Sequence, residues 1–287
     1  MDTARRIAIL GMSVSGMLAI LKIAVGAMAH SAAVSADGFE SATDVLTSGL
    51  VLVGLTLAAR PADDNHPYGH GRVEILIGLL LGFILICAGT GIAWHGLTGA
   101  ADETRVPASY ALWPLIVSVG AKFCLLLVKY GHGRKIGSSS LVADAAHDGV
   151  DMLSGIVALV AVSLALFDPA RFLRADHYGA FAVGLIVIAT ALRVMYESAM
   201  QLMDTMPDEI SMLRIREVAL NVPQVAGVEK CFARKTGFKY HVDLHLEVDP
   251  EITVRASHEI AARVRDKIRE QLPWVADVLV HVEPFPG

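Results

Sequence analysis

Two nine-residue stretches place acidic and imidazole side chains inside long apolar runs. The first reads Ala36-Asp37-Gly38-Phe39-Glu40-Ser41-Ala42-Thr43-Asp44. The second reads Ala143-Asp144-Ala145-Ala146-His147-Asp148-Gly149-Val150-Asp151. Both follow the pattern A-D-x-x-[E/H]-x-x-x-D. Residues four apart share one face of a helix. Glu40 with Asp44, and His147 with Asp151, are therefore two ligand pairs on two helices, able to face each other. Three carboxylates and one imidazole suit a tetrahedral Zn²⁺ shell, and oxygen-rich shells also accept Mn²⁺, Fe²⁺ or Co²⁺. Isolated polar residues at a membrane edge, or helix-packing contacts, would not need to repeat with ligand spacing on two helices. An ionised carboxylate at bilayer depth is unfavourable unless it is paired, solvated or coordinated. Three negative ligands leave roughly one excess negative charge around a divalent ion, and when the ion departs their repulsion favours proton uptake. A site that trades a metal ion for protons is the chemistry this pattern predicts. Asp37 and Asp144 precede each pair by three residues and stand either as supporting oxygen donors or as helix-packing residues.

The elements that must carry these pairs are long apolar helices. The chain has 287 residues, 54% of them hydrophobic and 18% charged, with a mean hydropathy of +0.53. That balance excludes an ordinary soluble domain and predicts a multi-spanning membrane protein with a small polar tail. Six spans are expected, at about 7–29, 33–59, 73–97, 110–130, 141–167 and 177–203. The first follows a short basic start and lacks a signal-peptide cleavage pattern, so it reads as a retained span. Loops are expected at RPADDNHPYGHGR (60–72), at a short acidic linker to about 108, at GHGRKIGSSS (131–140) and at 168–176. Arg5, Arg6, Arg60, Arg72, Arg134 and Lys135 fall on one side. Arg105, Arg171 and Arg174, offset by Asp102, Glu103, Asp168 and Asp176, fall on the other. The positive-inside rule then puts both termini in the cytoplasm. Lys22 and Lys122 lie inside spans and either snorkel or pair with acidic residues in the bundle. Cys87, Cys124 and Cys231 form no C-x-x-C pair, and the net charge of −5 gives no nucleic-acid signal. No phosphate loop or dinucleotide glycine pattern is present, so transport would draw on an ion gradient or on the metal's own gradient, and the absence of H-E-x-x-H disfavours a metalloprotease.

From Pro207 the periodicity changes. A helix is expected at 208–220, strands at 229–234 and 238–248, a helix at 253–272 and a strand at 275–283. Phe238, Tyr240, Val242, Leu244, Leu246 and Val248 alternate with polar residues, the signature of a half-buried strand. The division is therefore a transmembrane domain over 1–206 and an α+β domain over 207–287, small enough that pairing with a second copy would help stabilise it. In the loop after span 2, Asp63, His66 and His70 are three candidate ligands, which a solvated loop would explain equally well. In the tail, His241 and His245 share one strand face with Asp243 and Glu247, His281 and Glu283 share a face of the last strand, and His258 sits on the helix. Four residues of strand separate His241 from His245 by about 13 Å, which argues against both serving one ion.

The paired E/H-x-x-x-D positions on spans 2 and 5, the DDNHPYGHG loop and the tail together resemble the cation diffusion facilitator family, bacterial divalent metal/proton antiporters. The resemblance implies an α-helical membrane domain of six transmembrane helices, a cytoplasmic ferredoxin-like αββαβ domain and a homodimer. It also implies a multi-pass protein of the bacterial cytoplasmic (inner) membrane, a transporter and not an enzyme. Its cargo would be Zn²⁺, or alternatively Fe²⁺, Cd²⁺, Co²⁺ or Mn²⁺, exported from the cytoplasm in exchange for protons, with the metal also a regulatory ligand. The family pattern assigns the transport site to Glu40, Asp44, His147 and Asp151. It assigns a second ion to Asp63, His66 and His70, and tail metal to His245, His258, His281 and Glu283. It also suggests a charge interlock between Arg72 and Asp204. Two departures stand out: position 40 is usually Asp or His, and a tail histidine found near Glu229 in relatives is missing. A membrane metal sensor or assembly partner that binds without transporting, and a passive channel, are the competing readings.

Overall fold

A computed structural model describes residues 2–102, 105–136, 139–237 and 239–286. Glu103 and Phe238, which entered the orientation and strand expectations, lie outside the described residues. In chain order the elements are α1 (Asp2–Met28), α2 (Ala32–Ala58), α3 (Arg72–Asp102), α4 (Leu112–Ile136), α5 (Ser139–Phe167), α6 (Pro169–Phe172) and α7 (Ala175–Leu202). The tail follows with α8 (Glu209–Leu220), β1 (Gly227–Thr236), β2 (Lys239–Val248), α9 (Val254–Gln271) and β3 (Val275–Pro284). Six helices, α1 to α5 and α7, are long and apolar enough to cross a membrane. Their outward positions carry apolar residues such as Ile20, Leu46, Leu80, Phe83 and Leu192, as a hydrocarbon surroundings requires.

The chain forms two compact units. The first joins the residues up to Leu52 with Leu80–Met195, and the second joins Val53–Leu79 with the residues from Tyr196 onward. The domain boundary expected between 206 and 207 falls inside the second unit. Two loop expectations change. GHGRKI is the end of α4 and not a loop, and α3 continues to Asp102 through much of the expected linker. A glycine inside a helix weakens it by only about 1 kcal/mol relative to alanine, so Gly131 and Gly133 need not stop α4. Its last turn carries Arg134 and Lys135, where the helix dipole favours cations.

In the first unit, small side chains let the helices approach. Ala33, Ala36, Ala111, Ala158, Ala161 and Ala180 pack with Val34, Leu115, Val162 and Val183 in one buried cluster. Gly38 brings α2 onto α1: a Cβ there would lie 2.8 Å from the backbone nitrogen of Ile23. Asp176 corrects a sequence reading. It is no loop charge offsetting Arg171 and Arg174 but a buried residue of the first turn of α7. Its Oδ1 accepts from Ser31 Oγ (2.6 Å) and Ala33 N (3.3 Å), and its Oδ2 accepts from Ala32 N (2.5 Å). Asp176 thus supplies acceptors for the free N–H groups that open α2, from a residue far away in the chain.

In the second unit, the tail sheet runs β1-β2-β3, with β1 antiparallel and β3 parallel to β2. A parallel neighbour needs a long crossover, which α9 provides. Asp208 caps α8 by accepting from Ser211 N (3.0 Å), and Thr253 caps α9 by accepting from Ala256 N (3.2 Å). The predicted stripe Ile260, Val264 and Ile268 packs with Met212 and Ile215 of α8 onto Val242, Leu244, Leu246 and Val248 of β2. Each fully buried aliphatic side chain here contributes about 1.5–3 kcal/mol relative to exposure. Also in this unit, Gly71 meets the β1–β2 turn so closely that a Cβ would lie 2.7 Å from the Thr236 carbonyl oxygen. Arg72 Nη2 donates to Asp204 Oδ1 at 2.9 Å, the interlock suggested above.

Replacing Asp176 by Ala should remove the acceptors at the start of α2. A loss of about 1–2 kcal/mol is expected, read as a lowered midpoint of thermal unfolding in detergent. An unchanged midpoint would show that α2 does not depend on this cap.

Candidate metal centre

The two repeated stretches sit on α2 and α5, one turn of helix separating the members of each pair. Asp44, His147 and Asp151 offer ligand atoms that all lie within 4.8 Å of one another. His147 Nε2 is 3.6 Å from Asp44 Oδ1 and 3.8 Å from Asp151 Oδ1. Glu40 does not join this group. It is turned to α5, where its Oε1 accepts from Ser154 Oγ at 2.7 Å. A buried carboxylate takes the nearest donor, and Ser154 lies three residues beyond Asp151. Among the described residues, nothing donates to Glu40 Oε2 or Asp44 Oδ2, although both atoms are buried. Buried carboxylate oxygens without donors fit a site whose missing partner is a cation. The group lines a cavity of about 560 Å³ with Gly11, Ser15, Thr47 and Ser48.

The lysines that sequence left without partners find them here. Lys22 Nζ lies 2.8 Å from Asp37 Oδ2 and donates to Ser41 Oγ at 2.6 Å. Lys122 pairs with Asp151 and, at 3.4 Å, with Asp148. Lys129, which sequence reading passed over, meets Asp148 at 2.5 Å and Asp144 at 2.9 Å. Its signal was its place seven residues, two helical turns, after Lys122. Asp37 and Asp144 are therefore held by ammonium groups. Six carboxylates (Asp37, Glu40, Asp44, Asp144, Asp148 and Asp151) stand against three lysines, a surplus of three negative charges that a divalent cation would cut to one.

The loop after α2 gathers Asp63, His66 and His70. Asp63 Oδ1 lies 2.9 Å from His66 Nδ1, and Asp63 Oδ2 lies 3.5 Å from His70 Nε2. Oδ1 also accepts from the backbone nitrogens of His66 (2.7 Å) and Asn65 (3.0 Å). In the tail, His245, His281 and Glu283 come together, and His258 does not. Side chains alternate across a strand: Val242, Leu244, Leu246 and Val248 face the helices, so His245 faces the opposite side of the sheet from α9. His258 stands exposed on α9. Within one chain the expected four-ligand tail set is thus divided by the sheet. Register aligns His245 with His281. A register shift between Val228 and Cys231 sets Glu229 beside His245, with Glu229 Oε2 4.0 Å from His245 Nδ1. Glu229 had no local signal, because only the pairing of β1 with β2 brings it there. Hydrogen bonds with Glu229 and His245 hold the Glu283 carboxyl below its usual range. His241 lies apart, its ring edge-on to Tyr68 at 5.8 Å.

The family profile for the cation efflux transmembrane domain matches residues 8–203, and that for the cation efflux protein cytoplasmic domain matches residues 207–285. The chain belongs to the cation diffusion facilitator family. Metal tolerance protein C1 of Arabidopsis thaliana is 31% identical over 96% of this chain, which spans 61% of that relative's length. The manganese efflux system protein MneP of Bacillus subtilis (strain 168) is 28% identical, covering 98% of this chain and 96% of its own. A solved structure of MamM-CTD shares 34% identity over 27% of this chain and 98% of its own, with a TM-score of 0.26. As a cation diffusion facilitator, the chain is a multi-pass membrane protein for efflux of divalent metal cations, in a family of transporters rather than enzymes.

The loop group carries a pH expectation. The His66 side chain, then its backbone N–H, hold the Asp63 carboxyl below the usual carboxylate range. A lowered value means the ionised form belongs to the folded turn. The turn's contribution is complete above about pH 4, the ordinary Asp value, and fades as the pH falls through the lower folded value. The amide chemical shift of Asn65, which donates to Asp63 Oδ1, should move on the acid side below about pH 4.5 as the carboxylate takes up its proton. In Asp63→Asn this acid-side movement should be absent.

Proposed function

We propose that this chain exports a divalent transition-metal cation, Zn²⁺ or Mn²⁺, from the cytoplasm in exchange for protons, through a transport site made of Asp44, His147 and Asp151 with Glu40 alongside. The observation that carries this reading is the three-residue group on two membrane-spanning helices, together with the buried, donor-free oxygens of Glu40 and Asp44. Carboxylate and imidazole donors suit both ions. MneP, described as a manganese efflux protein, adds Mn²⁺ to the Zn²⁺ expectation. Proton exchange follows from the donor chemistry: carboxylates and an imidazole that release a cation take up protons in its place.

The wider reading is a homodimer in the bacterial inner membrane. Both termini are cytoplasmic, with a transport domain over 1–206 and a metal-binding, dimerising domain over 207–287. Asp63, His66 and His70 bind a second ion. His245, His281 and Glu283, joined by Glu229, bind a tail ion, and His258 contributes to a separate tail position. Metal held by paired tails would favour the dimer by linkage and so sense cytoplasmic load.

The test is transport into proteoliposomes with an imposed pH gradient, with Zn²⁺, Mn²⁺, Fe²⁺, Co²⁺ and Cd²⁺ supplied separately and lumenal pH followed. Metal uptake matched by proton exit is expected, and Asp151→Ala should abolish it while the protein stays folded and dimeric. Normal flux through Asp151→Ala would overturn the site, and binding without gradient-linked movement would make the protein a sensor. His245→Ala should weaken tail metal binding about tenfold or more and leave transport in place; an unchanged calorimetric titration would remove His245 from the tail set.

A further inference from the structure

Lys122, on α4, is buried at 3% exposure and touches two carboxylates of α5. One is Oδ2 of Asp151, and the other is Oδ1 of Asp148 at 3.4 Å. Two turns further along α4, Lys129 holds Asp148 Oδ2 and Asp144 Oδ2. These four contacts make a ladder between α4 and α5, with Asp148 shared by both lysines. Asp144 and Asp148 stand outside the Asp44–His147–Asp151 group, but Asp151 belongs to both assemblies. Its two oxygens are divided between them: Oδ2 takes the ammonium, and Oδ1 faces His147 Nε2 at 3.8 Å.

We propose that Lys122 is a specificity-determining positioning residue, holding Oδ2 of Asp151 so that this carboxylate offers the transported cation one oxygen and not two. The inference rests on the transport site described under Proposed function. A carboxylate can bind a cation through one oxygen or both. Ca²⁺ collects six to eight oxygens and often takes carboxylates in the two-oxygen mode, whereas Zn²⁺ is satisfied by four donors. Tying up Oδ2 lowers the oxygen count and so acts against Ca²⁺ more than against Zn²⁺. The ammonium also reduces the pull of Asp151 on any divalent ion, because a positive charge beside the carboxylate opposes the cation. A transport site has to release what it binds, and the lysine restrains its affinity. Asp148 serves as the second partner that keeps the ammonium between the two carboxylates. Lys129, also buried and paired with two carboxylates, lines the same cavity but pairs with Asp144 and Asp148 and not with Asp44, His147 or Asp151, which makes it the control.

The purified full chain in detergent, carrying Asp63→Ala, His245→Ala and His258→Ala to silence the loop and tail positions, would be titrated calorimetrically with Zn²⁺, Mn²⁺ and Ca²⁺ at one pH. Lys122→Gln is expected to tighten Ca²⁺ and Mn²⁺ binding about tenfold or more, with a smaller gain for Zn²⁺, so that discrimination against Ca²⁺ falls. Lys122→Arg, whose guanidinium can still hold Oδ2, should restore the discrimination, and Lys129→Gln should leave it as in the parent protein. Affinities that stay unchanged in Lys122→Gln, or fall in parallel for all three ions, would overturn the proposal. So would the same loss of discrimination in Lys129→Gln. Should Lys122→Gln fail to fold, Asp148→Asn leaves the ammonium to Asp151 alone. Ca²⁺ binding should then weaken further relative to Zn²⁺, and an unchanged or increased ratio would overturn the proposal. Asp151→Ala separates the two claims. Parent-like metal binding by that variant defeats the site itself, whereas lost binding there with no effect of Lys122→Gln defeats only the role of the lysine.

Discussion

The constraint on which the membrane-spanning part depends is the burial of carboxylates where water is scarce. An isolated charge there is strongly disfavoured, and a charge paired on one side only is little better. This chain meets the constraint in two ways. Lys22, Lys122 and Lys129 pair with Asp37, Asp144, Asp148 and one oxygen of Asp151. Asp44, the other oxygen of Asp151 and Glu40 are left to a histidine and a serine hydroxyl. The lysine-held carboxylates are thereby set apart from those of the proposed transport site.

That division places demands on the backbone. Asp37 must reach Lys22 on α1, and Gly38, next in sequence, lets α1 and α2 come close enough. The small residues around Ala33, Ala158 and Ala180 hold α2, α5 and α7 together where lipid provides no hydrophobic drive between helices. Asp176 fixes where α2 begins, by satisfying N–H groups that would otherwise be stranded. Packing, capping and ion pairing thus all act on the helix that carries Glu40 and Asp44.

The second unit obeys ordinary aqueous rules. Its helices bury one face of a three-stranded sheet, and the opposite face presents His245, His281, Glu283 and Glu229. The same alternation that builds the core therefore exposes the candidate ligands. The loop after α2 belongs to this unit as well. Gly71 abuts the β1–β2 turn and Arg72 holds Asp204, so the Asp63–His66–His70 group is anchored next to the tail by contacts within one chain. Cation–π and edge contacts of Tyr68 with Arg234 and His241 extend that anchorage.

Local order and ligand type were legible in the sequence, because they depend on short-range periodicity. Six apolar runs, the four-residue spacing in α2 and α5, the alternation of β2 and the stripe on α9 each follow from helix and strand geometry alone. So did the candidates Asp44, His147 and Asp151, since i and i+4 share a face wherever the helix goes. What depended on distance across the fold was decided by tertiary structure. The partners of Lys22 and Lys122, the role of Lys129 and the capping by Asp176 join residues from different helices. Glu40 turned to Ser154, and His258 lay on the helix side of a sheet whose other face holds His245. Glu229 reached that face only through a register shift between two strands. Periodicity states which residues share a face; only packing states what that face meets.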